Sequence, residues 1–155
     1  MEMMDKKEFK QQLIAELEKQ LLSKLELVKG ELQALKESSE SDTKSSMGDK
    51  YETGREVMAQ ERSKQEAQMT MLQKQLSFLK SIDKERTFKE VAFGALVGTG
   101  LSWYFISISI GPMTFQGENV MVVSAASPIG QALLGCKVGE MPSFNGKALP
   151  IDRIF

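Results

Sequence analysis

The sequence predicts an α+β protein, in which a long antiparallel coiled-coil hairpin precedes a small β-rich domain of antiparallel strands. Residues 1–86 carry 33 of the 41 charged side chains and no proline. Residues 87–155 carry only 8 charges, all 4 prolines and 9 of the 12 glycines. Charged sequence without proline favours exposed helices, whereas glycine and proline mark the turns between short strands. We therefore predict two domains, residues 1–86 and residues 87–155.

Two apolar stripes at helical spacing define the hairpin. The first, in a helix of about residues 5–37, comprises Ile14, Leu17, Leu21, Leu25, Val28, Leu32 and Leu35. The second comprises Met58, Gln65, Met69, Leu72, Leu76 and Leu79. The polar, serine-rich residues 38–48 between them have no apolar period and predict a loop. Long helices joined by a short loop pack antiparallel.

The two stripes also predict a register and a length for the hairpin. Pairs such as Val28 with Met58 and Leu35 with Tyr51 fit one constant register, that of a hairpin folded about residue 43. At 1.5 Å per residue, the first helix would be roughly 50 Å long. We expect a monomer, with a coiled coil that dimerises as the alternative.

The sequence of the second domain predicts strands separated by turns, together with one short helix. We expect strands at residues 91–98, 101–110 and 119–124, with turns at 99–100, 111–112 and 116–117, and two weak strands before residue 155. Ser127 is a good N-cap, Pro128 suits the first helical position, and Gly135 can end the helix in a left-handed conformation. This helix would lay three side chains on the sheet: Ile129, Ala132 and Leu133.

Composition excludes several classes of function. The chain has no histidine, which excludes Ser-His-Asp catalysis and histidine-ligated zinc. Its single cysteine, Cys136, permits neither an internal disulfide nor a cysteine metal cluster. A net charge of −1 argues against broad electrostatic binding to nucleic acid. Nothing in the β-rich domain has the pattern of a catalytic site.

No membrane segment or signal peptide is expected. Residues 91–116 are uncharged and long enough to span a bilayer. They contain four glycines, however, and end in an Ile/Ser alternation that is typical of a strand. The N-terminus leads directly into a charged helix. We therefore expect the cytoplasm as the compartment.

The residues around the loop form an acidic tip, about 38–52. Asp49 and Glu52 are three apart at the expected start of the second helix, so they share one face. Carboxylates in a first turn also suit the helix dipole, which is an alternative reason for their presence. Together they could hold Mg²⁺ if a partner supplies the remaining ligands.

Several motifs resemble those of the bacterial Gre transcript-cleavage factors. The tip sequence Gly48-Asp49-Lys50-Tyr51-Glu52 matches that family's G-D-x-x-E. Residues 127–135 (SPIGQALLG) are close to the family's S-P-[LIM]-x-x-A-L-[LI]-G. Residues 43–55 (TKSSMGDKYETGR) are similar to a Gre-like branch associated with Bacteroidetes. The resemblance covers most of the chain and implies an FKBP-like fold for the second domain.

The resemblance implies a function inside RNA polymerase. In the Gre family the hairpin enters the secondary channel, where the tip acids help to hold a catalytic Mg²⁺ and position the water that cleaves backtracked RNA. Carried over by motif, these acids are Asp49 and Glu52. The protein would not be an enzyme itself, and it would meet the 3′ end of the nascent RNA only within the polymerase complex. Ser127, Pro128 and Ile129 would dock at the channel rim.

This sequence departs from the family pattern at three positions. Thr53 replaces the Asn after the tip Glu, Glu56 replaces a Tyr, and Ala126 replaces the acidic or Asn residue before Ser-Pro. Residue 43 as the fold centre would also place Asp42, not Asp49, at the apex. Two alternatives therefore stay open: a channel-binding regulator without cleavage activity, and a coiled-coil adaptor unrelated to polymerase. An FKBP-like prolyl isomerase ranks lower, because the chain offers no obvious aromatic proline pocket.

Overall fold

The computed structural model describes residues 2–44 and 48–155, and the side chains of residues 6–38 and 53–155. A pair of long helices precedes a small sheet, which confirms the predicted α+β class. The elements are α1 (Glu2–Lys44), α2 (Gly48–Lys80), β1 (Leu96–Thr99), β2 (Ser102–Ser107), β3 (Gly111–Phe115), β4 (Glu118–Ser124), α3 (Pro128–Leu133), β5 (Ser143–Phe144), β6 (Lys147–Ala148) and β7 (Arg153–Ile154).

The chain divides into two compact units. The hairpin unit comprises Leu17–Ser77, and the β-rich unit comprises Met1–Glu16 together with Phe78–Phe155. The composition of the chain changes at residue 87, but the first turns of α1 pack with the sheet. The β-rich unit therefore contains a helical segment that lies far from the sheet in sequence.

The first helix is longer than predicted. It continues through the serine-rich segment to Lys44, whereas the sequence predicted a loop from residue 38. No glycine or proline occurs between Gly30 and Gly48, so nothing in that stretch forces the helix to end. α2 begins at Gly48, and residues 45–47 between the two helices lie outside the described residues.

The predicted fold centre at residue 43 is wrong, because α1 continues to Lys44. The register built on that centre had paired Leu35 with Tyr51. In the structure Leu35 and Met58 line one groove, and Leu32 and Met69 line a second. Apolar periodicity alone does not distinguish registers that differ by a heptad, because each keeps the apolar residues on the seam.

The β-rich unit contains a mixed sheet with the strand order β3-β4-β2-β1-β7. β2 and β4 are parallel, and the other neighbours are antiparallel. The sequence predicted a fully antiparallel domain and a turn at residues 111–112. Instead Gly111 and Pro112 begin β3. Since β3 is an edge strand, it can accommodate a proline, and β4 lies between it and β2.

Both faces of β2 are buried, where the sequence predicted one. Ile106 belongs to a core with Val97 and Leu133, on the side covered by α3. On the other side Trp103 is 2% exposed. Its ring centroid lies 6.4 Å from that of Phe9 on α1. The first turns of α1 therefore complete the core of the β-rich unit.

Candidate functional site

The acidic tip predicted from the sequence lies at the start of α2. Asp49 is the second residue of this helix, and Glu52 follows one turn later. Asp42 lies near the end of α1. The side chains of all three acids lie outside the described residues. Asp42 therefore belongs to a helix and not to the apex of a loop, contrary to the expectation from the predicted register.

The backbone of α2 places Asp49 and Glu52 three residues apart at the start of one helix. Residues three apart in a helix share one face, so Asp49 and Glu52 can present two carboxylates together. Carboxylate oxygens are ligands that Mg²⁺ prefers, and Mg²⁺ is commonly held by one or two of them with the rest supplied from elsewhere. Within the described residues, no group of three or more His, Cys, Asp or Glu is placed to hold a metal. Two carboxylates alone would need a partner's ligands.

Ser127 stabilises the start of α3, as the sequence predicted. Its Oγ accepts a hydrogen bond from the backbone N–H of Gly130 at 3.1 Å. The same hydroxyl donates to the backbone oxygen of Ser124 at 2.7 Å. Gly135 has a φ of +80°, the left-handed conformation expected of it. The Ser127 side chain is therefore fully used within the fold.

Pro128 is the outward-facing member of the predicted docking corner. It occupies the first turn of α3 and is exposed, whereas Ile129 is half-buried against the core. Gly130 is buried, and a Cβ at this position would lie 2.2 Å from the backbone oxygen of Ser124. The Ser-Pro-Ile-Gly sequence thus forms a tight corner in which Pro128 is the side chain most available to a partner.

Sequence reasoning missed a buried cation in the β-rich unit. Lys10, on α1, is 1% exposed and donates from Nζ to the backbone oxygen of Gly94 at 3.0 Å. Burial, followed by the nearby charges of Lys7 and Arg86, lowers the pKa of Lys10 to about 8, while Asp83 acts in the opposite direction. No local pattern signals this residue, because only the fold brings residues 10 and 94 together.

A second polar cluster fixes α1 to strands β2 and β4 of the sheet. The Lys6 amine lies 3.2 Å from Oε1 of Glu118, and Trp103 Nε1 donates to Oε2 of the same carboxylate at 3.2 Å. The hydrogen bond from Lys6 is the main cause that lowers the pKa of Glu118. These contacts orient the indole and have a structural role. In the described parts of the chain, no helix is both long and apolar enough to cross a bilayer.

Comparison with known proteins finds similarity to solved structures alone. No family model and no curated protein matches the chain. GreA factor homologue 1 (Gfh1) of Thermus thermophilus is 22% identical, with 89% of this chain and 94% of that chain covered and a TM-score of 0.36. Gfh1 of Thermus aquaticus is 23% identical over 88% and 92% of the two chains, with a TM-score of 0.34. These values are too low for the similarity to assign a function.

Proposed function

We propose that this protein is a Gre-like accessory factor of RNA polymerase, which inserts its hairpin into the secondary channel and stimulates the polymerase's own cleavage of backtracked RNA. The observation that carries the proposal is the Asp-x-x-Glu pair at the start of α2, the second helix of a long helical hairpin. Asp49 and Glu52 are the acids that match the tip motif of the Gre factors. Polymerase remains the enzyme, and the protein supplies carboxylates.

The length of the helices supports a role as a probe. α1 has 43 residues and α2 has 33, which correspond to roughly 64 and 50 Å at 1.5 Å per residue. Leu17, Leu21 and Leu25 are buried along α1, so the two helices support each other. A hairpin of this kind can carry side chains to a site deep inside a larger partner.

The chemistry requires few groups from this chain. Asp49 and Glu52 would hold Mg²⁺ jointly with carboxylates of the polymerase. The ion, when bound, supplies the second metal of a two-metal hydrolysis of a phosphodiester. The rest of the protein positions the two carboxylates. Because both carboxylates are negatively charged, they attract the Mg²⁺ ion and not the RNA backbone. Removing either carboxylate should therefore reduce cleavage far more than binding.

A cleavage assay tests this proposal. Backtracked elongation complexes with a labelled RNA 3′ end are mixed with the parent protein, Asp49→Ala or Glu52→Ala, and the released fragment is measured. We expect each variant to lose stimulated cleavage by at least a hundredfold while its affinity for polymerase stays within a few fold, because the substitutions affect the tip alone. Glu56→Ala, an exposed acid one turn further along α2, is the matched control and should cleave as the parent does.

Two outcomes would contradict the cleavage mechanism. If Asp42→Ala is inactive while Asp49→Ala cleaves normally, the wrong carboxylates have been assigned. If the parent binds polymerase without increasing cleavage, the non-cleaving regulator is the correct alternative. A parent protein that does not bind polymerase at all would favour the adaptor.

The β-rich unit would dock at the rim of the channel through Pro128. Ser127 is occupied with the cap of α3, and Ile129 is half-buried, so Pro128 is the exposed member of the corner. We expect Pro128→Ala to weaken polymerase binding severalfold with an unchanged melting temperature. A matched exposed substitution, Gln131→Ala, reports whether the wider surface takes part. Unchanged affinity for Pro128→Ala would place the docking surface elsewhere.

A further inference from the structure

The β-rich unit contains a cavity that combines an apolar wall with a cluster of cations. Its volume is about 400 Å³, within the range of small-molecule pockets. The apolar wall is formed mainly by Phe88, Ile154 and Phe155. Lys10 and Arg86 also line the cavity, and Arg153 reaches it from β7. None of these residues belongs to the acidic tip or to the Pro128 corner.

Of the four cations that line this cavity, Lys7 pairs with Glu85 at 3.1 Å, and the other three form no ion pair among the described residues. Lys10 Nζ lies 4.6 Å from the centroid of the Phe88 ring, and Arg86 Cζ lies 4.6 Å from the same centroid. Across residues 6–38 and 53–155, no carboxylate forms an ion pair with Lys10, Arg86 or Arg153. The acid that lines the cavity, Asp152, accepts a hydrogen bond from the backbone N–H of Gly100 at 2.6 Å.

Among the cations around the cavity, Lys10 carries most of the electrostatic cost of burial. Its amine is buried, and its described hydrogen bond, to Gly94, uses one of three N–H donors. Burial and two neighbouring cations lower its pKa to about 8, so the ammonium form is less favourable here than in water. An anion placed beside this amine would offset both the repulsion and the lost solvation.

We propose that this cavity binds a small organic anion, whose carboxylate or phosphate group pairs with Lys10 and Arg86 and whose apolar body lies against Phe88, Ile154 and Phe155. The ligand needs an anionic group and an apolar body because the cavity has a cationic part and an apolar wall. An inorganic anion would leave the apolar wall uncovered, and an uncharged apolar molecule would leave the cations unpaired.

A fluorescence titration with 8-anilinonaphthalene-1-sulfonate tests the site, since this probe carries one anionic group on an aromatic body. We expect saturable binding to the parent protein and at least tenfold weaker binding to Lys10→Met. Arg86→Gln changes an exposed residue and should weaken binding severalfold. This variant provides the test if Lys10→Met does not fold. Lys147→Met removes an exposed lysine of the same unit that does not line the cavity, and it should bind as the parent does.

Competition identifies the chemistry of the ligand. Displacement of the probe by octanoate, by phenyl phosphate or by both supports the proposal and distinguishes a carboxylate from a phosphate source. Inorganic phosphate at the same concentration should not displace it. Equal displacement by inorganic phosphate, or no displacement by either organic anion, would overturn the proposal, as would unchanged probe affinity in both Lys10→Met and Arg86→Gln.

The pH profile provides a second readout. Affinity should fall between pH 7 and pH 9.5 in the parent protein, as Lys10 loses its proton, and Lys10→Met should not show this fall. The charged groups that face Lys10 are Lys7, Arg86 and Asp83, and Asp152 and Arg153 line the same cavity. An equal fall in the parent and in the variant would overturn the assignment of Lys10. The outcome is independent of RNA cleavage, because the tip takes no part.

Discussion

Lys10 should make the stability of the protein increase with pH. In the folded state burial, Lys7 and Arg86 lower the pKa of Lys10 from 10.5 to about 8. The unfolded chain keeps the ordinary value, so it binds more protons than the folded protein between these two pH values. By linkage, the free energy of unfolding must rise with pH in that window. The substitution Lys10→Met removes the titrating group.

The two pKa values give the size of the effect. Proton linkage with values of about 8 and 10.5 raises the free energy of unfolding by about 1.3 kcal/mol between pH 7 and pH 9. As an order of magnitude, the expected gain is therefore about 1 kcal/mol. Cys136 acts in the opposite direction, because burial raises the pKa of its thiol and the folded state then retains a proton that the unfolded chain loses. Its contribution is the same in both proteins and cancels in their difference.

Urea unfolding of the parent and of Lys10→Met at pH 7, 8 and 9 measures the effect. The parent should gain about 1 kcal/mol relative to the variant over this range. The substitution also leaves the backbone oxygen of Gly94 without its Lys10 donor, so the pH dependence is the readout and the absolute stability at pH 7 is not. Parallel profiles for the two proteins would refute the reasoning.

Three further predictions concern stability and can be checked by thermal unfolding followed by circular dichroism. Gly130→Ala should destabilise the β-rich unit by more than about 2 kcal/mol, because its Cβ would meet the backbone oxygen of Ser124 at 2.2 Å; a normal melting curve would contradict this. Ser127→Ala should lower the free energy of unfolding by about 1 kcal/mol through loss of the helix cap, whereas Pro128→Ala, at an exposed position, should be nearly neutral. Equal losses of stability in the two variants would count against the capping role of Ser127. Gln65→Leu should stabilise the hairpin by about 1 kcal/mol, because Gln65 Oε1 is buried without a hydrogen-bond partner among the described residues. A lower melting temperature for this variant would show that the amide oxygen does have a partner.

Local chemistry explains which parts of the fold could be predicted. The hairpin follows from apolar residues at helical spacing, and α3 follows from Ser127, Pro128 and Gly135, each of which acts within a few residues of its own position. The same applies to the tip. Asp49 and Glu52 are three apart, so any helix that begins at Gly48 puts them on one face. Their roles in metal binding and cleavage stay predictions.

The features that the sequence did not predict depend on contacts between distant residues. A heptad repeat is satisfied equally by registers that differ by seven residues, so periodicity could not fix the fold centre, and the continuation of α1 to Lys44 required the structure. The parallel pairing of β2 with β4 depends on β3 taking the sheet edge, which no local pattern indicates.

The burial of Lys10 shows the same difference between local and long-range effects for a single side chain. By its sequence it is an ordinary lysine of a charged helix, where an exposed position is expected. The fold places it against Gly94 and Phe88, more than seventy residues away, where water is excluded and its charge becomes costly. The sequence by itself determined the presence of the helices, the cap of α3 and the spacing of the tip acids, because these depend on neighbouring residues. Tertiary structure decided which charges lose their water, because solvation depends on everything that packs around a group.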